Sequence, residues 1–235
     1  MAKTQVNVAV LALQGAFQEH IDMLNKLTLE SANGQVLSVH AYAVRLPKEL
    51  AAADAIVLPG GESTTIGKVA TEWGLLEPLR EWVSQKRPIW GTCAGMIMLA
   101  QSAKHAKEGG QILVGGMDVQ VSRNFFGSQV RSFEMAVEGP PGFNSEPYNA
   151  VFIRAPAIIS VGESIEVLSK LEGAQPADGS DPTDVIIAAR KVSPSTGDNR
   201  MMENILVTAF HPELTEDNRW HRYFMESIVL PRVQF

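Results

Sequence analysis

The sequence predicts an α/β fold in which helices cover both faces of a central, mostly parallel sheet. Two observations predict it. The N-terminal half alternates short apolar runs with segments whose apolar residues recur at helical spacing. The first of these runs is continuously apolar and rich in β-branched residues, which is typical of a strand buried on both faces. Strands that alternate with helices form right-handed crossovers and hence a parallel sheet.

The elements of this half follow in order. Residues 6–13 (VNVAVLAL) are a β-branched apolar run and predict the first strand. Residues 17–29 carry an almost helical apolar stripe and predict the first helix. The other predicted elements are strands over 36–44, 55–58 and 88–90, a helix over 64–85 broken near Gly74, and a helical run over 96–100.

The character of the chain changes after about Gly109, where shorter strands joined by turns are expected. They are predicted at 117–122, 132–137, 151–153 and 185–191. An apolar strand at 205–209 follows, and residues 217–229 predict a closing helix with Asp217 or Thr215 as its N-cap.

Three polar, turn-rich segments at 138–149, 172–184 and 193–204 are expected to be exposed loops. Strand-like runs resume after each segment, so we interpret them as insertions rather than linkers. The prediction is therefore one domain over residues 1–235, with insertions near 138–149 and 172–204.

The composition limits the class of protein. Of 235 residues, 45% are hydrophobic and 20% charged, which allows a sizeable core. A net charge of −6 argues against nucleic acid or an anionic membrane as the main partner. The N-terminus lacks a signal-peptide pattern, and no apolar stretch approaches the ~18–20 residues that span a bilayer. A single cysteine excludes an internal disulfide and fits a reducing compartment, so a cytoplasmic location is expected.

The only cysteine, Cys93, follows a predicted strand and precedes a helical run. Gly91 and Gly95 flank it and remove the Cβ atoms that would clash in a tight turn. At a helix N-terminus, unpaired N–H groups and the helix dipole favour thiolate. The pattern predicts a nucleophile elbow, and the alternative is a buried structural cysteine.

A cysteine nucleophile needs a base, and His211 directly follows the strand at 205–209. Catalytic groups of parallel sheets gather at the carboxyl ends of strands, where Cys93 is also expected. Pro212 favours extended backbone at His211, which would bring Glu213 to the same side. We therefore predict a triad of Cys93 as nucleophile, His211 as base and Glu213 as its orienter. The alternative for His211 is a strand-end histidine that contacts a carbonyl.

An oxyanion site needs backbone donors near the thiol. The N–H of Ala94 is one candidate, because it directly follows the nucleophile. The turn after the strand at 55–58 contains paired glycines that let backbone approach a substrate, so the N–H of Gly61 is the second candidate. The alternative is an ordinary turn in which Ser63 caps the next helix.

Segments 91–95 (GTCAG) and 211–213 (HPE) together resemble the class I, or triad, glutamine amidotransferases. Within that class, four further segments resemble the glutaminase subunit of pyridoxal 5′-phosphate synthase. They are 13–15 (LQG), 58–65 (LPGGESTT), 122–129 (SRNFFGSQ) and 151–156 (VFIRAP). The resemblance spans nearly the whole chain.

The resemblance implies a flavodoxin-like, three-layer α/β/α fold that hydrolyses L-glutamine to glutamate and ammonia. Cys93 would form a γ-glutamyl thioester, and His211 would protonate the departing ammonia and then activate water. The residues implied to hold the substrate are Gly61, Glu62, Ser63, Arg123, Ile153 and Arg154. The alternative for either arginine is a solvated surface cation.

The resemblance also implies a partner, a separate (β/α)₈-barrel synthase subunit that receives the ammonia internally, in assemblies of up to 12 + 12 subunits. No metal and no cofactor are expected, since pyridoxal 5′-phosphate would be the product of the complex. The segments 138–149 and 172–204 are longer than in compact bacterial-type members and resemble the eukaryotic branch.

Three other hypotheses remain. The chain could serve another class I amidotransferase, as in histidine or purine biosynthesis, with the same chemistry and a different partner. It could be a cysteine peptidase or a DJ-1-like protein, which the HPE and PGGES segments disfavour. It could be a silent protein that only binds a partner, although an intact triad argues against that.

Overall fold

The computed structural model describes residues 4–31, 33–104, 110–127, 132–143, 146–194 and 201–233, with backbone alone at 193–194 and 201–203. The strands are β1 Gln5–Leu11, β2 Thr28–Glu30, β3 Val36–Val44, β4 Ala55–Leu58, β5 Ile89–Thr92, β6 Ala100–Lys104, β7 Met117–Ser122, β8 Ser132–Val137, β9 Tyr148–Ile153, β10 Ala157–Val161, β11 Ile165–Ala174, β12 Thr183–Pro194 and β13 Met201–Thr208. The helices are α1 Phe17–Asn25, α2 Ser63–Glu72, α3 Leu76–Ser84, α4 Ala94–Leu99 and α5 Arg219–Tyr223, which continues as a π-helical segment, Phe224–Val229.

The centre of the main sheet is parallel, as predicted. Its strands run in the order β3-β1-β4-β5-β13, and each neighbouring pair is parallel. β1 and β4 are almost entirely buried, which accounts for their continuously apolar sequences. Because these strands share a direction, the chain leaves all of them at the same edge of the sheet.

Beyond the parallel centre, the sheet continues through antiparallel strands. β13 pairs with β12, which contacts both β10 and β11, and β10 pairs with β7. β8 and β9 form a separate two-stranded sheet. The strands β2, β6, β10 and β11 were not predicted from the sequence.

The predicted loop at 193–204 was wrong at both ends. β12 continues through Pro194 and β13 begins at Met201, with Ser193 opposite Met202 and Pro194 opposite Met201. The intervening residues 195–200 lie outside the described residues. Loops 172–184 and 138–149 are likewise shortened by β11, β12 and β9. Ladder hydrogen bonds in a hairpin satisfy the backbone of polar residues that lack an apolar pattern.

Helix ends differ from prediction for local reasons. The break near Gly74 is confirmed, since α2 ends at Glu72 and Gly74 has a φ of +72°. The predicted helix at 17–29 ends at Asn25, because residues 28–30 pair with β3 instead. At the C-terminal helix the cap position is Asn218, although Oδ1 of Asp217 accepts the N–H of Arg219 at 3.0 Å. Among the described residues, no helix is both long and apolar enough to cross a membrane.

Candidate active site

Cys93 lies on a strained turn between β5 and α4. Its φ is +47°, a left-handed value that is costly for a residue other than glycine. Its N–H donates to the carbonyl of Thr208 at the end of β13, 2.8 Å away, which ties the turn to the neighbouring strand. The residue is only 5% exposed. Strain held in this way is typical of functional turns.

The glycines around Cys93 are required by close backbone contacts. A Cβ at Gly91 would lie 2.4 Å from the carbonyl oxygen of Gly95. A Cβ at Gly95 would meet the carbonyl of Leu58 at the end of β4. The predicted strand–turn–helix geometry around the cysteine is therefore present.

His211 and Glu213 form a buried pair beside this turn. The N–H of His211 donates to the carbonyl of Val151 on β9, at 2.8 Å. Its Nδ1 lies 2.7 Å from Oε1 of Glu213, and the ring also hydrogen-bonds with Cys93. Since Glu213 occupies Nδ1, the Nε2 atom is the one left for the thiol. The backbone conformation that brings Glu213 to His211 differs from the predicted one, because Pro212–Leu214 is a 3₁₀ turn rather than extended chain.

Burial and charge act in opposite directions on this pair. Burial lowers the pKa of His211, but its hydrogen bonds with Cys93 and Glu213 outweigh burial and raise the pKa to about 10. Burial also raises the pKa of Glu213, but the neighbouring His20 and the hydrogen bond with His211 bring that pKa below its ordinary value. The arrangement therefore favours an imidazolium at His211 backed by the carboxylate of Glu213.

The turn after β4 approaches the imidazole closely. A Cβ at Gly60 would lie 2.3 Å from Cε1 of His211, so this position requires glycine. Gly61 has a φ of +148°, and the N–H of the next residue, Glu62, donates to Oε1 of Gln14 at 2.6 Å. The turn is thus held against the triad by the LQG segment.

Glu62, and not Ser63, caps α2. Its carboxylate accepts the N–H groups of Thr64 at 3.2 Å and Thr65 at 2.8 Å. Burial raises the pKa of Glu62, but these hydrogen bonds and those of the threonine hydroxyls lower it to about 2. The expectation that Ser63 could cap an ordinary turn was wrong.

Arg123 is buried beside this cap. Its Nη2 donates at 3.1 Å each to Glu62 Oε1, Ser63 Oγ and Thr64 Oγ1. The residue is 8% exposed, so the alternative of a solvated surface cation does not hold for it. Its Nε is buried and has no hydrogen-bond partner within the described part of the chain.

A cleft of about 280 Å³ joins these groups. It is lined by Gly61, Glu62, Ser63, Cys93, Ile97, Arg123, Asn124, Ile153, Arg154 and His211. Glu213 lies behind His211, and Ala94 is buried at the start of α4. Arg154 is exposed and has a φ of +47°. Ser128 and Gln129 of the predicted motif lie outside the described residues.

Two lining residues were missed from the sequence. Asn124 adjoins Arg123 in a motif that was identified, and Ile97 lies one helical turn after Cys93. Those positions in the sequence could have identified both residues as candidates for lining the cleft. Across the described residues, no group of three His, Cys, Asp or Glu side chains could hold a metal ion.

A parallel sheet with a cysteine elbow and a His–Glu pair at adjacent strand ends is the arrangement of the class I glutamine amidotransferases. The chain belongs to the SNO glutamine amidotransferase family, whose model matches residues 10–230. The resemblance inferred from the sequence is confirmed at this level.

Relatives are similar over almost the whole chain. A protein of Arabidopsis thaliana named probable pyridoxal 5'-phosphate synthase subunit PDX2 is 42% identical over 242 residues, covering 94% of this chain and 85% of that protein. The pyridoxal 5'-phosphate synthase subunit PdxT of Carboxydothermus hydrogenoformans is 43% identical over 223 residues, covering 95% and 98%.

Solved structures support the fold. A crystal structure described as a glutamine amidotransferase is 39% identical, with a TM-score of 0.71 over 93% of this chain and 97% of that one. PurLQS from Thermotoga maritima, at 13% identity and a TM-score of 0.54, covers 91% of this chain and supports the fold alone. The predicted α/β class I amidotransferase fold is confirmed.

Proposed function

We propose that this chain is the glutaminase subunit of a pyridoxal 5′-phosphate synthase. It hydrolyses L-glutamine to L-glutamate and ammonia, and the ammonia passes to a separate synthase subunit. One observation carries the chemistry: the buried Cys93–His211–Glu213 array opens onto the same cleft as Glu62 and Arg123. The names of relatives over 40% identical support the pathway, and an amidotransferase of histidine or purine biosynthesis is not favoured.

The reaction is proposed to proceed in two halves. The Cys93 thiolate attacks the side-chain amide carbon of glutamine, and the resulting tetrahedral oxyanion is stabilised by the N–H groups of Gly61 and Ala94. As the C–N bond breaks, the imidazolium of His211 gives its proton to the leaving nitrogen, which departs as ammonia. Neutral His211 then takes a proton from water, which attacks the γ-glutamyl thioester and releases glutamate and the thiolate.

The other end of the cleft suits the amino-acid end of glutamine. The guanidinium of Arg123 can bind the α-carboxylate, and the carboxylate of Glu62 can bind the α-ammonium group. These two charges lie 3.1 Å apart, so a zwitterion can satisfy both at once. Ser63 supplies a hydroxyl beside Arg123, and Ile153 and Arg154 form the far wall.

Several finer features belong to the same proposal. Residues 1–235 would act as one glutaminase domain, docked on a (β/α)₈-barrel synthase subunit in a complex of up to 12 + 12 subunits. Ammonia would move between the subunits internally, which avoids its protonation in water. A cytoplasmic location would keep the single thiol reduced.

The test combines the purified chain with the barrel synthase subunit of the same organism. Glutamate release and glutamine-dependent appearance of the coenzyme's absorbance are measured with and without each subunit. We expect both signals from the pair. Glutamate release stimulated instead by an imidazole-glycerol-phosphate-type partner would contradict the pathway, and absence of glutamate with every partner would contradict the glutaminase.

A further inference from the structure

Two histidines that the proposed mechanism does not use lie buried behind the triad. His20 is on α1 and His221 is on α5, and both have no exposed surface. They are 201 positions apart in the sequence, yet Nδ1 of His20 lies 2.9 Å from Nε2 of His221. Trp90 packs edge-on against both rings, with centroids 5.6 Å and 5.0 Å away. Polar rings buried this deeply in a core need an explanation.

The histidine pair reaches the carboxylate of the triad. Nε2 of His20 lies 3.3 Å from Oε2 of Glu213 and 3.3 Å from Oγ1 of Thr92. Oε1 of the same carboxylate is the atom that accepts from His211. Oε2 has no hydrogen-bond partner among the described residues, and the hydrogen bond of His20 Nε2 is with Thr92, so His20 stands within ion-pair distance of Oε2 without a formed hydrogen bond.

The protonation of the two rings follows from the groups at the two ends of the series His221–His20–Glu213. A lone pair on Nε2 of His20 would face the carboxylate of Glu213 at 3.3 Å, which favours a proton on this nitrogen, with the hydroxyl of Thr92 as its hydrogen-bond acceptor. Nδ1 of His20 is then an acceptor, and it takes the proton on Nε2 of His221. Independently, Nδ1 of His221 has no hydrogen-bond partner in the described residues, which fits a bare nitrogen because buried unpaired N–H groups are rare.

Both ends of this series of side chains therefore indicate the same tautomer of His20 and His221. In that tautomer the N–H of His221 faces His20 and the N–H of His20 faces Thr92 and Glu213, while Nδ1 of His211 meets the carboxylate from the other side. Burial lowers the pKa of both His20 and His221, so both rings are neutral at physiological pH.

We propose that His20 is a positioning residue of the triad, which holds Glu213 ionised and aligned with His211, and that His221 sets the tautomer of His20. This inference rests on the proposed glutaminase function. Neutral donors suit this place, because a second cation beside Glu213 would compete with the imidazolium of His211 for the carboxylate. The groups facing His20 are Glu213, His221 and Thr92, with His211 and Glu19 adding weaker charge effects.

Two substitutions of similar size separate this role from simple packing. In His20→Gln the amide nitrogen falls near the position of Nε2 and still donates to Glu213. In His20→Asn the amide falls near Nδ1, so it can meet His221 but not Glu213. His40→Asn on β3, an exposed histidine stacked on Tyr42, is the control.

In the complete complex, we expect His20→Asn to lower kcat for glutamine hydrolysis about 10- to 100-fold with little change in KM, the effect of losing one hydrogen bond to a charge. His20→Gln should keep most of the activity. The alkaline limit of the pH range in which the complex is active should move to lower pH in His20→Asn, because a less well aligned Glu213 lowers the pKa of His211. Equal kcat values and equal pH profiles in the two variants would overturn the proposal.

A second readout needs no activity. In the ¹⁵N-labelled chain, ring nitrogen shifts should show His20 protonated at Nε2, and the pKa of His211 should fall in His20→Asn but not in His20→Gln. Protonation of His20 at Nδ1 would overturn the inference, even if neither variant folds. If the wild-type complex does not hydrolyse glutamine, the proposed function fails, while these shifts still decide whether the histidines hold Glu213.

Discussion

The carbonyl oxygen of Leu58 lies against the α-carbon of Gly95, so closely that a Cβ there would stand 1.9 Å from it. This contact joins the end of β4, which carries the turn with Gly60 and Gly61, to the helix that begins after Cys93. The distance between Cys93 and the turn with Gly60 and Gly61 is therefore set by backbone packing rather than by side chains.

Gly95→Ala should destabilise the protein by about 3 kcal/mol, since the obstructing atoms are backbone that must shift. Urea denaturation would measure the change. Gly139→Ala is the matched control, because its nearest obstruction is the flexible end of Arg219 at 3.2 Å. Equal denaturation midpoints for the two variants would contradict this packing account.

Cys93→Ala should abolish glutamate release while the chain still folds and still binds the synthase subunit. The thiol is proposed as the only nucleophile, whereas fold and docking depend on the surrounding backbone. Glutamate release by the variant in the presence of the partner, measured by an enzymatic assay, would rule out Cys93 as the nucleophile.

Glu213→Gln should lower kcat by orders of magnitude, up to the roughly 10⁴-fold seen when a triad carboxylate is replaced by its amide. The carboxylate contributes to the raised pKa of about 10 at His211, so the midpoint of the His211 titration should move to lower pH. NMR titration of the free chain would follow it. Glu226→Gln, at the surface pair with Arg222, should leave the titration unchanged.

Arg123→Lys should raise KM for glutamine about 10- to 100-fold with a smaller change in kcat, because an ammonium cannot reproduce the two-pronged guanidinium contact with a carboxylate. Steady-state kinetics of the complex would test it. Arg80→Lys provides the control, since Arg80 pairs with Glu77 on the surface. An unchanged KM in Arg123→Lys would remove the residue from the substrate site.

Glu62 should make stability depend on pH in the acid range. Its pKa is lowered from 4.5 to about 2 in the folded chain. A lowered pKa contributes stability that is present above the unfolded value and lost as pH falls from about 4.5 through about 2. Glu62→Gln should lose less stability over that interval than the wild type in denaturation series. If the free energy of unfolding fell equally with pH in the wild type and in Glu62→Gln, this prediction would be contradicted.

Parts of the fold that depend on local pattern could be predicted from the sequence. The parallel strands β1 and β4 were placed because nearly continuous apolar runs have few alternatives in water. The strands β10 and β11 and the ends of the β12–β13 hairpin were missed. These segments are stabilised by cross-strand pairing, of β10 with β7, of β11 with β12 and of β12 with β13, and such pairing leaves little trace in a single sequence.

For the site, too, some features could be predicted from the sequence and others are known only from the structure. By itself the sequence determined the cysteine turn, the HPE segment and the motifs that line the cleft, because each depends on neighbours within a few residues. The tertiary structure decided that Arg123 is buried against the Glu62 cap, and that two histidines from opposite ends of the chain meet behind Glu213. These contacts depend on how helices pack on the sheet, and residue spacing along the chain does not encode that packing.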